Sequence, residues 1–121
     1  MKSLTMLLLI LVPLSANANF IAIVSCIHDA NPRSVVTVQL PGPILIYQDC
    51  NQSSLWYREG VRRTNPNEYV GASSSFVLDK DTSIYILDVK SGNVNLRVNF
   101  DEMNCDTGGT TSNPVTPKTC K

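Results

Sequence analysis

The chain has one histidine, one tryptophan and three methionines in 121 residues, and its aromatic content is low. With His28 as the lone imidazole, acid–base schemes that need two histidines are excluded. No G-x-S-x-G stretch marks a nucleophile. Charge of one sign is also missing: ten Lys+Arg face ten Asp+Glu. That balance argues against a nucleic-acid binder relying on clustered basic residues and against a polybasic membrane-surface protein. The four cysteines lie at spacings of 24, 55 and 15. No C-x₂₋₄-C knuckle is present for a zinc site and no C-x-x-C for a redox centre. No metal and no cofactor is expected. Helical periodicity is almost absent, and there is no internal repeat or domain linker.

What is present begins with Met1 to Ala18. Lys2 supplies one positive charge, an apolar run follows from Leu4 to Leu14, and Ala16-Asn17-Ala18 gives the small-x-small pattern of a cleavage site. The run is too short to span a bilayer, which takes about 20 apolar residues. Residues 1–18 are expected to be a signal peptide, residues 19–105 a single β domain, and residues 106–121 a disulfide-anchored tail. Removing 18 of 121 residues leaves 103, with nine basic against ten acidic side chains. No later apolar stretch approaches spanning length, so no membrane insertion is expected. The product is expected to be secreted, extracellular or periplasmic, where disulfides persist. A lipidated cysteine at Ile23-Val24-Ser25-Cys26 is the rival reading, weakened by the asparagines at 17 and 19.

Period-two alternation dominates the remainder. Val94, Leu96, Val98 and Phe100 alternate with Asn95, Arg97, Asn99 and Asp101, the pattern of a strand with one wet face. With Ser83–Val89 and Ser74–Asp79 before it, this predicts a three-stranded meander over 74–101. Gly92 is placed to supply the positive φ of its second hairpin, and Asp79 to Asp81 the side-chain-to-backbone bonds of its first turn. Further strands are predicted at Phe20–His28, covered on both faces, at Ser34–Leu40, at Ile44–Gln48 after the Pro41-Gly42-Pro43 turn, and at Leu55–Glu59. Residues 60–73 carry Gly, Asn-Pro and Ser punctuation and predict a long exposed loop. The polar tail would be disordered on its own. The fold class is all-β: a small antiparallel β-sandwich or barrel of about six to eight strands, stapled by two disulfides.

Cys26, Cys50, Cys105 and Cys120 allow three pairings. Cys26–Cys50 with Cys105–Cys120 is favoured, because the second bridge would close a short loop and anchor the tail. Cys26–Cys105 with Cys50–Cys120 is the alternative.

Two function classes follow. The first is a small secreted non-enzymatic interaction protein (an effector, inhibitor, adhesive or envelope module) with a protein or glycan partner. Its candidate binding residues are Trp56, Tyr57, Arg58, Arg62, Arg63 and Tyr69, because Trp, Tyr and Arg combine contact area with a polar handle. The second is a small secreted hydrolase such as a ribonuclease using His28 and Glu59, helped by Arg58 and Arg62. Asn51-Gln52-Ser53 forms a glycosylation sequon.

Overall fold

The structure is a computed structural model that describes residues 20–52 and 56–120. The expected signal peptide (residues 1–18), Ser53 of the sequon and Leu55 of the strand predicted at 55–59 lie outside these residues. Ten strands follow in order: β1 (Ile21–His28), β2 (Ser34–Leu40), β3 (Ile44–Asp49), β4 (Trp56–Gly60), β5 (Arg62–Asn65), β6 (Glu68–Val70), β7 (Ser74–Asp79), β8 (Ile84–Ser91), β9 (Val94–Asn99) and β10 (Cys105–Asp106). They form two antiparallel five-stranded sheets, β10-β1-β2-β3-β4 and β5-β6-β7-β8-β9. The all-β antiparallel fold expected from sequence is observed, and of sandwich and barrel the two separate sheets select the sandwich.

Alternation decides which side chains enter the core. Ser74, Phe76 and Leu78 are buried along β7, and Tyr85, Leu87 and Val89 along β8. All but Ser74 meet Cys26, Val36, Val38, Leu45 and Tyr47 of the first sheet in one apolar cluster. The meander over 74–101 is as read from sequence. Gly92 has φ 58° at the first central position of the β8–β9 turn, which suits a type II′ hairpin. The Asp81 amide donates to Asp79 Oδ1 at 3.0 Å, closing the β7–β8 turn as expected.

The two sheets cross steeply. The start of β1 faces the β5–β6 and β7–β8 turns, at Asn67 and Lys80, across one cleft. Its end meets Asn99 and Phe100 beyond β8. β1 thus runs across the strand ends of the second sheet, while Glu59 on β4 reaches Ser73 and Ser74 at the opposite end of that sheet. This is orthogonal packing, in which corners are made by strands that change sheets. β4 and β5 form such a corner: Gly60 ends one, Arg62 starts the other, and buried Val61 alone lies between. The loop expected over 60–73 is thereby corrected to a corner and a hairpin, β5–β6. These two strands and the two-residue β10 account for ten strands where six to eight were expected.

The tail crosses the outer face of the first sheet as a strap. Gly109 N donates to Ile23 O at 3.0 Å, Val115 N to Ala22 O at 2.9 Å, and Lys118 N to Ser25 Oγ at 2.8 Å. Cys26 and Val36 face the core, so their neighbours Ser25 and Thr37 face outward, yet they are 0% and 7% exposed. The strap accounts for that burial and for β1 being covered on both faces. A Cβ on Gly109 would lie 2.7 Å from Ile23 Cα and 2.8 Å from Ala22 O. Backbone meets backbone there, and only glycine fits.

The disulfides are Cys26–Cys105 and Cys50–Cys120, with Cα–Cα distances of 4.0 and 5.3 Å. This corrects the favoured pairing and selects the alternative. Sheet order is the reason. Cys26 is level with Val36 and then Tyr47. Two strand spacings, about 9–10 Å, separate it from β3, and Cys50 lies three residues further along. A disulfide reaches only about 7 Å between Cα atoms. After β9 the chain turns through a 3-10 segment, Glu102–Asn104, capped by Asp101. It returns beside β1, where Cys105 is the cross-strand partner of Cys26. With its sulfur in that bridge, Cys26 has no thiol for a lipid.

Candidate functional site

The six candidate residues do not form one patch, because neighbours on a strand point to opposite faces. On β4, Tyr57 faces the core side and Arg58 is exposed on the outer side. The side chain of Trp56 lies outside what the structure describes. On β5, Arg62 and Arg63 part company at the corner. Arg62 borders a shallow apolar depression of about 550 Å³ with Pro43, Ile44, Val61 and Val70. Arg63 turns to the other side, where Tyr69 is its cross-strand partner.

Arg63 and Tyr69 help to build a deeper cleft of about 360 Å³ at the end of the sandwich where the crossed sheets part. Val24, Leu78, Tyr69 and Tyr85 give it an apolar and phenolic floor. The backbone of Thr107, Gly108 and Gly109, at the start of the strap, forms one wall. Arg63, Lys80 and Asp81 stand on the rim; the carboxylates of Glu102 and Asp79 lie near Tyr85, away from the Arg63 side. The Arg63 guanidinium lies 5.6 Å over the Tyr69 ring and donates from Nη2 to Pro66 O at 2.7 Å. Two contacts fix the plane of that fork before any ligand arrives. Burial pushes the Tyr85 phenol above its ordinary value, with Glu102 and Asp79 adding to the rise, so it stays a neutral hydroxyl. The strap wall, Lys80 and Tyr85 were not anticipated from sequence. The Gly108-Gly109 doublet in a polar tail was the one available signal that backbone packs closely there.

Glu59 has a different role. Its half-buried carboxylate accepts hydrogen bonds from the Tyr57 hydroxyl, from Ser74 Oγ at 2.7 Å and from the Ser73 amide at 3.1 Å. Burial alone would raise its pKa. The hydrogen bonds from Tyr57, Ser74 and Ser73 outweigh that, and the pKa falls below the ordinary value. Burial and the adjacent Glu59 raise that of Tyr57. A Cβ on Gly71 would sit 1.8 Å from Glu59 Oε2, so a side chain there would displace the carboxylate from this position. This cluster ties the first sheet to the second. A depressed folded pKa means the ionised carboxylate stabilises the fold fully above its unfolded value, about 4.3. That contribution is lost as pH falls through the lower, folded value. Glu59→Ala is expected to cost about 1–3 kcal/mol at neutral pH. Unfolding of Glu59→Gln followed from pH 7 to 2 should show a shallower acid loss than wild type; equal slopes would contradict this role.

His28 ends β1, half-buried, with Nδ1 3.1 Å from Pro32 O and its ring edge-on to Phe100 at 6.3 Å. Glu59 is level with Leu45, Val38 and Val24. Three strand spacings and four residues along β1 put the two Cα atoms roughly 19 Å apart. The structure does not bring His28 and Glu59 into one site. Among the described residues no group of three or more His, Cys, Asp or Glu could hold a metal ion, and no helix is long and apolar enough to cross a membrane.

No protein-family model matches this chain, and no curated protein or solved structure shows significant similarity to it.

Proposed function

We propose that the protein is an exported, non-enzymatic interaction module that holds an anionic, ring-bearing group of a protein partner in the cleft beside Arg63. The observation that carries this reading is the pairing of an apolar floor with an oriented cationic rim. The cleft's volume falls in the range of small-ligand pockets, about 300–1,000 Å³. The floor would take a ring, and the guanidinium fork and the Lys80 ammonium its acidic group. The turns and strap that frame the cleft are held by two sheets and two disulfides, so little ordering is needed on binding. Disulfides and the signal-like N-terminus support export to an oxidising compartment.

Phenyl phosphate carries both halves of the proposed ligand and is a suitable probe. Titration of the oxidised protein, followed by amide shifts, should show saturable binding with Kd of about 1 mM, weak because the probe is small. The double variant Arg63→Ala/Lys80→Ala should bind at least about tenfold more weakly with its fold unchanged. Equal affinity of wild type and double variant would remove the rim from the account.

A further inference from the structure

We propose that β9 is a pairing edge through which two copies of this chain join by antiparallel strand addition. A sheet edge exposes unpaired N–H and C=O groups, and proteins blunt such edges by shortness, charge or bulges. Three of the four edges here are blunted. β10 has two residues. β5 carries Arg62 and Arg63 and a register shift between Arg63 and Asn65. β4 carries Arg58 and runs directly into the corner. β9 has six residues in unbroken register with β8, no proline and one charge. That charge, Arg97, is matched by Asp88 at 3.2 Å.

The hydrogen-bond phase fixes what β9 offers. Phe100 N donates to Tyr85 O at 2.7 Å. Alternation along the ladder then points the backbone groups of Val98, Leu96 and Val94 at β8, and those of Asn95, Arg97 and Asn99 away from it. Val94, Leu96 and Val98 are only half-buried on the core side of this edge.

A second copy fits this edge in register. With a two-fold axis at Leu96, that residue faces its own copy, and Val94 faces Val98 of the second copy. Asn95 then stands opposite Arg97, and these four residues exchange backbone hydrogen bonds. The apolar row runs on across the junction and no like charges are opposed, as they would be with the axis at Arg97. An edge without net charge or side-chain pockets has nothing to select a particular foreign strand. One strand pair buries less than the roughly 1,200 Å² of a stable complex, so the dimer is weak.

Sedimentation of the oxidised protein from about 10 μM to about 1 mM should show a concentration-dependent monomer–dimer equilibrium. Arg97→Pro removes an N–H that points away from β8 and has no partner among the described residues, and should weaken dimerisation at least about tenfold. Arg97→Ala, which keeps the N–H, should stay within about threefold of wild type. Independently of any variant, amide exchange at Asn95 and Arg97 should slow as concentration rises, while that of Asp81 should not. A monomer throughout the range, a dimer unaffected by Arg97→Pro, or exchange independent of concentration would each overturn the proposal.

Discussion

Replacing Cys26 and Cys105 together with alanine is expected to lower the unfolding free energy by about 4 kcal/mol, whereas the same change at Cys50 and Cys120 costs less than half of that. The two bridges span 79 and 70 residues. Chain entropy alone assigns each about 4.4–4.5 kcal/mol, so loop length cannot separate them. Position does. Cys26 is fully buried in the apolar cluster, and its bridge joins β1 to β10 inside the sheet. No part of that staple can open without exposing the core. Cys50–Cys120 pins the end of the strap. When it is cut, the strap can leave the outer face and regain conformational freedom while both sheets persist, which offsets much of the loss. A single domain has about 5–15 kcal/mol in all, so the first pair of changes leaves the fold near its limit. Urea unfolding of the two double variants, with amide exchange at Gly109, Val115 and Lys118, checks this. Equal midpoints, or a larger loss at Cys50 and Cys120, would contradict the assignment.

Phe76→Ala should cost about 3–5 kcal/mol. Phe76 is fully buried on β7, the middle strand of the second sheet, and its strand partners are Tyr69 and Leu87. Both neighbours are fixed by ladders, so the site cannot collapse around the missing ring. The ring also meets Phe100 edge-on, with centroids 6.1 Å apart. A double-mutant cycle should give about 0.5–1.5 kcal/mol of coupling between them. Phe76→Leu keeps most of the volume and should cost about 1 kcal/mol. Phe20→Ala, at a side chain 40% exposed, should stay within about 0.5 kcal/mol. Denaturant midpoints at constant slope give all four values.

The meander was legible because one face of each strand is buried, and burial on one face is what writes period two into a sequence. β5 has no buried face: Arg62 to Asn65 are all exposed, so it carries no alternation and reads as loop. β6, three residues long, is too short for a pattern. The disulfide pairing was hidden for a different reason. The spacing of 15 between Cys105 and Cys120 suggests a short loop, but the return of the chain beside β1 is a property of sheet order, which no local pattern encodes. The aromatic and basic run at 56–63 is continuous in sequence and discontinuous in space. Alternation sends Tyr57 to the Glu59 cluster and Arg58 outward, and the corner separates Arg62 from Arg63. What survives of that run in the cleft is Arg63 with Tyr69, joined by cross-strand pairing across a hairpin that was itself read as a loop.

The cleft beside Arg63 is tested most directly by locating phenyl phosphate on the protein with methyl-resolved NMR. At saturating probe, intermolecular contacts from its ring to the methyl groups of Val24 and Leu78 are expected, together with shifts of the Gly108 and Gly109 amides. Contacts confined to Ile44, Val61 and Val70 at the corner, or none at all, would contradict the account.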